Sequence, residues 1–390
     1  MKMLVVMLVT YLFQGLMAMS SQEQEIEKLL QSINKPAVAS FKTTYGDILD
    51  CVEIRKQLAF DHPLLKNHSI QMRPTVDIPK PINSSKVLKS QQILPINISC
   101  PNGTVLVRRV EKKDIISDVK FLKFWTGQMF ANSQSTIDYA PQLAQGHEVA
   151  ALTIRKKVIG LHGGLNLWRL QVAANQFSSA FIFVASDDGS TQNYLEAGWS
   201  VNSALYPSSD SRLHVFWTKD NGRTTGCFNI LCPGFVQVSQ QITPGLVLQP
   251  VSVFGGTQYE INLSIKQDAS SGNWWVYFGE ETVGYYPKEL FTTLNNGADG
   301  VGWGGEIASP STELLPAMGS GFFPEVGPSK ACYIDQMQLF DTSGALISPD
   351  PTTFINYVTR ADCYRAAYAG NMGGRIGNYM FFGGPAGCKI

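Results

Sequence analysis

The stretch from Ser179 to Ser186 reads SAFIFVAS, a short apolar run bounded by small polar residues. Such a run predicts a buried β-strand. Similar runs recur from residue 147 onward with turn residues between them: EVAALTI, RLHVFWT, GFVQVS, QYEINLSI, WWVYFG and CYIDQMQLFD. Many short strands at regular spacing favour an antiparallel β-sandwich of the jelly-roll type. We therefore expect an all-β domain over residues 147–390.

The chain before residue 131 follows a different pattern. Apolar residues recur at helical spacing from Ile26 to Ile33, and Pro36 then ends the helix. The segment ASFKTTYGDILDCVEI alternates around Gly46 and Asp47 as a hairpin does, and GTVLVRRV is strand-like. We expect a smaller α+β unit over residues 21–130. The small, polar residues 131–146 predict a linker.

Composition narrows the class of protein. The chain has 390 residues, of which 16% are charged and 11% aromatic, and its formal net charge is zero. Nothing in this balance indicates nucleic-acid binding. Residues 1–20 carry one lysine, an apolar run from Met3 to Phe13 and then small residues, which is typical of a secretory signal peptide. Because that run is too short to span a bilayer, which takes ~20 helical residues, we expect a soluble secreted protein with no membrane contact after signal removal.

The cysteines and glycosylation sequons agree with an oxidising compartment. Among seven cysteines, Cys227 and Cys232 are close enough to close a tight loop. The further disulfides that we expect are Cys51–Cys100 and Cys363–Cys388, with Cys332 left free and buried. Five asparagines head an N-x-[ST] sequon and are candidate glycan acceptors: Asn67, Asn83, Asn97, Asn102 and Asn262.

Several short motifs do not carry their usual chemistry. The glycines from Gly300 to Gly305 match the dinucleotide fingerprint as a string, but no helix or βαβ unit surrounds them. Ser320 in MGSG lacks the first glycine of a nucleophile elbow. The five histidines form no metal-ligand spacing, and CFNILC has no second Cys/His pair. We expect neither a metal nor a cofactor.

Two isolated glutamates are the strongest candidates for chemistry. Glu306 lies in GVGWGGEIASP and Glu196 in QNYLEAGWSV, each beside glycine and tryptophan and with few charges near it. Desolvation and mutual repulsion raise the pKa of one member of such a pair, so that one acid stays protonated while the other is ionised. The alternative is that each glutamate caps a turn or accepts backbone hydrogen bonds.

Long strings of this sequence resemble the neprosin family of plant secreted peptidases. The resemblance is carried by YGDILDCVEIRKQLAFDHPLLKNHSIQMRP in the N-terminal half and by LEAGWSV, FWTKDNGRTTGCFNILCPGFVQ, VGWGGEI, AMGSGFFPEVG and FFGGPAGC in the C-terminal half. It implies a β-sandwich behind an activation propeptide, made as a zymogen and secreted to the extracellular or apoplastic space. It also implies a glutamic peptidase, active at acidic pH and proline-directed, whose two catalytic glutamates correspond to Glu196 and Glu306. Pro141 in the linker is then a candidate self-cleavage point.

The sequence departs from the family pattern at one point, and two other functions stay open. After GWSVNSALY the family usually shows Gly-Asp, whereas this chain has PSSD, which puts substrate preference in doubt. We interpret Trp199, Tyr206 and Trp303 as candidate substrate walls, with core packing as the alternative. We expect peptide or protein substrates and inhibition by the chain's own propeptide. A non-catalytic carbohydrate-binding sandwich and a glycosidase with two carboxyl groups remain as rivals.

Overall fold

The computed structural model describes residues 23–24, 26–76, 90–92, 98–112, 114, 146–310 and 313–389, with the backbone alone at 90–92. The predicted signal peptide, Asn83, Asn97, Pro141 and nearly all of the predicted linker lie outside these residues.

The N-terminal unit is a small α+β arrangement, as the sequence predicts. Residues 26–33 are helical, and a three-stranded antiparallel sheet follows in the order β1-β2-β4. Its strands are β1 (Ala37–Lys42), β2 (Ile48–Glu53) and β4 (Thr104–Arg108). The predicted hairpin joins β1 to β2, and Gly46 takes a positive φ of 86° in that turn. Cys51 and Cys100 form a disulfide that ties β2 to the segment before β4.

A seven-stranded antiparallel sheet, within the described residues, carries the site discussed below. Its order is β10-β9-β8-β7-β15-β5-β18. The strands are β5 (His147–Val158), β7 (Phe177–Asp187), β8 (Gln192–Asn202), β9 (Arg212–Thr218), β10 (Cys227–Phe228), β15 (Ala298–Ala308) and β18 (Ile355–Val358).

The second sheet of the sandwich has ten strands in the part of the chain that is described, with a main path of β11-β14-β13-β12-β6-β16-β20-β19. The strands are β3 (Ser90–Gln92), β6 (Gly160–Asn166), β11 (Val236–Gln237), β12 (Gln258–Gln267), β13 (Trp274–Phe278), β14 (Glu281–Tyr286), β16 (Cys332–Phe340), β17 (Leu346–Ile347), β19 (Arg365–Asn371) and β20 (Asn378–Gly383). β17 pairs with β16, and β3 pairs in parallel with β12.

Short 3₁₀ turns connect the strands: Ile54–Lys56, Leu58–Asp61, Pro63–Leu65, Lys288–Leu290, Thr293–Asn296, Pro324–Val326 and Pro351–Thr353. The predicted fold class, an antiparallel sandwich behind a smaller α+β unit, is confirmed.

Alternation along the strands separates two buried faces of the seven-stranded sheet. Trp199, Trp303 and Ile182 belong to the main core between the two sheets. The residues that alternate with these core positions, Phe181 and Phe183 among them, point to the outer face. A second apolar cluster forms there. Both glutamates lie on this outer face, because each is three positions along its strand from a tryptophan of the core and successive side chains alternate between the faces.

Candidate active site

Glu196 lies on β8 and is fully buried. Its register partners are Phe183 on β7 and Phe216 on β9. The Nε2 atom of His214, two residues before Phe216 on β9, is 2.8 Å from Oε1 of Glu196. The hydroxyl of Tyr194 donates a hydrogen bond to Oε2. Both carboxylate oxygens are thus hydrogen-bonded, as a buried carboxylate requires.

Glu306 lies on β15, on the other side of β7, and is 2% exposed. Its register partners are Ser179 on β7 and Val149 on β5. The hydroxyl of Ser179 donates to Oε1 across 3.3 Å, and Nε2 of His147 is 2.9 Å from Oε2. Each glutamate therefore has a histidine on the adjacent strand, two residues from its own register partner.

The glycines around the glutamates make room for the bulky side chains of this face. A Cβ at Gly198 would lie 2.7 Å from Cε1 of His214, so that only glycine lets the imidazole reach Glu196. A Cβ at Gly302 would collide with the ring of Phe183. At Gly304 it would lie 2.5 Å from the carbonyl oxygen of Ala150. Gly302 and Gly304 of GVGWGGE, like Gly198, are therefore places where neighbouring groups approach the backbone closely.

The two carboxyl groups act on each other electrostatically. Burial raises the pKa of Glu306 well above its ordinary value, and repulsion from Glu196 raises it further. Burial also lowers the pKa of His147 to about 4. Both shifts favour the uncharged forms of the carboxyl and of the imidazole beside it. Such a carboxyl can hold a proton and deliver it to a ligand.

Aromatic side chains complete the surroundings of the pair. Phe183 and Tyr194 stack with ring centroids 5.2 Å apart, and the imidazole of His214 stacks on Phe228 at 5.4 Å with an interplanar angle of 7°. Phe181 lies on β7 between Gly198 and Gly304, its register partners on the two glutamate strands. A low-dielectric wall of this kind strengthens every charge interaction of the carboxyls.

The predicted substrate walls divide between the two faces. Trp199 and Trp303 are fully buried and donate their indole N–H groups to the carbonyls of Asn166 and His162 between the sheets. The prediction that they line the substrate site is wrong, since an odd residue offset in a strand reverses the side-chain direction. Tyr206 does lie on the outer face, with the apolar cluster there.

The structure also shows where the predicted disulfides and glycosylation sites lie. The disulfides Cys227–Cys232 and Cys363–Cys388 form, as does Cys51–Cys100, and Cys332 is free and buried. Asn67 and Asn102 are exposed and suited to carry glycans. Asn262 is not: it is 7% exposed within β12, and its side-chain oxygen accepts a hydrogen bond from Gln336.

Sequence reasoning missed the residues that hold the carboxylates. His147 and His214 were considered only as metal ligands, whose spacing they lack, and Tyr194 was not singled out. Their signal is a polar residue on an otherwise apolar strand, and it becomes specific only when strand pairing is known. Among the described residues, no group of three or more His, Cys, Asp or Glu is placed to bind a metal ion. No described helix is long and apolar enough to cross a bilayer.

Comparison with known families gives two matches. The model of the neprosin family matches residues 174–385, and the model of the neprosin activation peptide matches residues 40–153. The second match covers most of the N-terminal unit and ends within β5.

Solved structures give weaker likenesses. A scytalido-glutamic peptidase with a peptide-based transition-state analog is 9% identical, covering 62% of this chain and 98% of its own, with a TM-score of 0.33. A member of the eqolisin family of peptidases, in complex with a tripeptide, is 10% identical; the match covers 61% of this chain and 98% of that chain, and the TM-score is 0.33. A homodimeric agglutinin from chicken liver is 9% identical; the match covers 41% of this chain and 96% of that chain, and the TM-score is 0.22. Likenesses at this level carry no argument about activity.

Proposed function

The chain belongs to the neprosin family, and we propose that it is a secreted endopeptidase that uses Glu196 and Glu306 to hydrolyse peptide bonds with water. Family membership supports a peptidase made with an activation peptide. The observation that carries the finer proposal is the pair itself: two buried, interacting carboxyls on one sheet face, each held by a histidine.

The surroundings of the two carboxyls support different roles for them. Glu196 accepts a hydrogen bond from the Tyr194 hydroxyl, which orients it as the proposed base. Glu306 has the raised pKa and so holds the proton. In the proposed mechanism, Glu196 removes a proton from water as the water attacks the scissile carbonyl. Glu306 donates its proton to the carbonyl oxygen, which gives a tetrahedral diol. The proton taken up by Glu196 then passes to the nitrogen as the C–N bond breaks, and a hydroxyl of the diol returns its proton to Glu306 as the carboxylic acid forms.

Acid dependence is part of this proposal. With rising pH, the pair loses the shared proton and with it the general acid. At the acidic end, His147, whose pKa is about 4, becomes a cation 2.9 Å from Glu306 and lowers the proton affinity of that carboxyl. The account therefore expects a bell-shaped profile whose two limits belong to the coupled pair rather than to either residue.

The zymogen arrangement follows from the same family membership. We propose residues 1–20 as signal peptide, 21–130 as activation propeptide, 131–146 as the linker with the maturation site, and 147–390 as the catalytic sandwich. Burial of both carboxyls in the full-length chain is the state expected of a latent enzyme. N-terminal sequencing of the mature secreted protein tests the boundary; an end far outside residues 131–146 would refute it.

The proposed preference for proline rests on the resemblance to the family. The flat aromatic side chains around the pair, Phe181 and Phe183 among them, suit contact with a proline ring. A panel of peptides that differ only in Pro against Ala at each position around the cut measures this preference directly.

The decisive assay compares two kinds of substrate. Purified, acid-treated protein is incubated between pH 2 and pH 7 with proline-containing peptides and, separately, with cell-wall polysaccharides. The proposal expects acid-dependent peptide cleavage that is lost in Glu306→Gln and retained in Glu148→Gln, a neighbouring buried glutamate that hydrogen-bonds Thr359. Polysaccharide binding or cleavage without peptide hydrolysis would support the rival carbohydrate-directed functions instead.

A further inference from the structure

One carboxylate joins the N-terminal unit to the catalytic sheet. Asp47, in the turn between β1 and β2, is 5% exposed. Its Oδ1 accepts a hydrogen bond from Nε of Arg108 at 2.9 Å, within the N-terminal unit. Its Oδ2 accepts a hydrogen bond from Nη1 of Arg212 on β9 at 2.8 Å. Asp47, which lies within the match to the activation peptide, is thus hydrogen-bonded to the guanidinium of Arg212 in the sandwich.

Arg212 is built into the sandwich independently of Asp47. Its guanidinium carbon lies 4.3 Å from the centroid of the Tyr206 ring, and Nη1 also donates to the carbonyl of Gly245 at 2.8 Å. The hydroxyl of Tyr206 accepts a hydrogen bond from the Asn229 amide, which fixes the ring. Arg212 is 2% exposed, and a buried arginine retains its charge. When the propeptide leaves, this charge loses its carboxylate partner.

A row of small polar side chains leads from Arg212 to the dyad. Arg212 pairs with Ser200, Ser200 with Ser179, and Ser179 with Glu306, on four adjacent strands and on one face. Ser200 is fully buried, and its hydroxyl has no hydrogen-bond partner in the part of the chain that is described. A buried, unsatisfied hydroxyl in such a row is suited to meet a ligand.

We propose that Arg212 forms a carboxylate-binding subsite of the mature enzyme, which selects peptide substrates with an aspartate or glutamate a few residues from the scissile bond. In the zymogen, Asp47 fills this subsite as a substrate mimic. The inference rests on the proposed peptidase function.

The spacing defines which substrate residue reaches the subsite. Three strand-to-strand steps separate Arg212 from Glu306, which at ~4.8 Å per step amounts to ~14 Å. An extended peptide covers ~3.3 Å per residue, so the acidic residue lies about four positions from the cut. Arg212 then binds it through charge-assisted hydrogen bonds, while Ser200 and Ser179 face the intervening backbone.

The test uses mature protein, obtained by activation of the full-length zymogen, and peptides with blocked ends, so that a terminal carboxylate cannot occupy the subsite. One position at a time, from four residues before to four after the cut, carries Glu or Gln, and kcat/KM is measured for each pair. The expected result is a preference for Glu over Gln of about tenfold or more at a position about four residues from the cut. In Arg212→Gln that ratio falls to about one, whereas Arg169→Gln, a half-exposed arginine that pairs with Asp210, keeps it.

A second readout applies even where Arg212→Gln does not fold. Because the substrate glutamate ionises with a pKa of ~4.3, the wild-type preference must grow between pH 3 and pH 5.5. Any of three results would refute the carboxylate-binding subsite. The scan shows no preferred acidic position, the preference persists in Arg212→Gln, or the Glu/Gln ratio of kcat/KM does not change with pH. Failure to hydrolyse any peptide instead refutes the peptidase proposal, and this inference with it.

Discussion

The carboxylate of Asp47 is the most informative group to remove, because it contacts a guanidinium on each side of the boundary between propeptide and sandwich. Asp47→Asn keeps the shape of the side chain but leaves Arg108 and Arg212 without their shared counter-charge. Removing one partner of a buried ion pair costs about 3–5 kcal/mol. Arg108 keeps Asp114 at 2.9 Å, so we expect the lower end of that range. About 3 kcal/mol corresponds to roughly a hundredfold change in the docking equilibrium.

The assay is the rate at which purified zymogen converts to the mature form, followed on gels between pH 3 and pH 7. We expect Asp47→Asn to convert roughly a hundredfold faster at a given mildly acidic pH, and to begin converting at higher pH. The matched control is Asp50→Asn. Asp50 is equally buried but binds Arg109 and Ser40 inside the N-terminal unit. Wild-type conversion rates in Asp47→Asn, or equal acceleration by Asp50→Asn, would refute the reasoning.

Three further predictions concern individual buried groups. Because the pKa of Glu306 is raised in the folded state, its contribution to stability is complete below about pH 4.5 and is lost as the pH rises. Glu306→Gln should therefore raise Tm, relative to wild type, more at pH 7 than at pH 4. An equal shift in Tm at both pH values would contradict the raised pKa. Burial raises the pKa of the Cys332 thiol, so a thiol reagent should leave the native protein unmodified and label one cysteine after denaturation without reduction; labelling of the native protein would disprove this protection. Glycopeptide mass spectrometry should find glycan at Asn67 or Asn102 and none at Asn262, whose occupancy would show that β12 is wrongly placed.

The strands that sequence patterns identified are those rich in β-branched and aromatic residues. The run SAFIFVAS is β7, RLHVFWT is β9 and QYEINLSI lies within β12. The strands that carry the glutamates were not among the predicted strands. β15 reads ADGVGWGGEIA, and its glycines weaken every periodic signal, although Gly302, Gly304 and Gly305 each lie against a group that would collide with a Cβ.

The two glutamates were found from composition and family resemblance, but the rest of the site depends on pairing between distant segments. His147 meets Glu306 across 159 positions of the chain, and Asp47 meets Arg212 across 165. The error at Trp199 and Trp303 has a simpler cause, since both residues are near a glutamate in sequence but on the opposite face of the same strand. Period-2 alternation, applied to LEAGWSV and VGWGGEI, would have assigned both indoles to the core.

The central claim is that Glu196 and Glu306 act together on one water molecule, and the activities of Glu196→Gln, Glu306→Gln and the double variant test it most directly. Residues that work as a unit show non-additive losses. We predict that each single variant loses roughly a thousandfold or more in kcat for peptide hydrolysis, and that the double variant loses no more than the worse single one. Folding is checked by the unchanged β-sheet circular dichroism of all three. Near wild-type turnover in either single variant, or losses that multiply in the double variant, would contradict a shared catalytic pair.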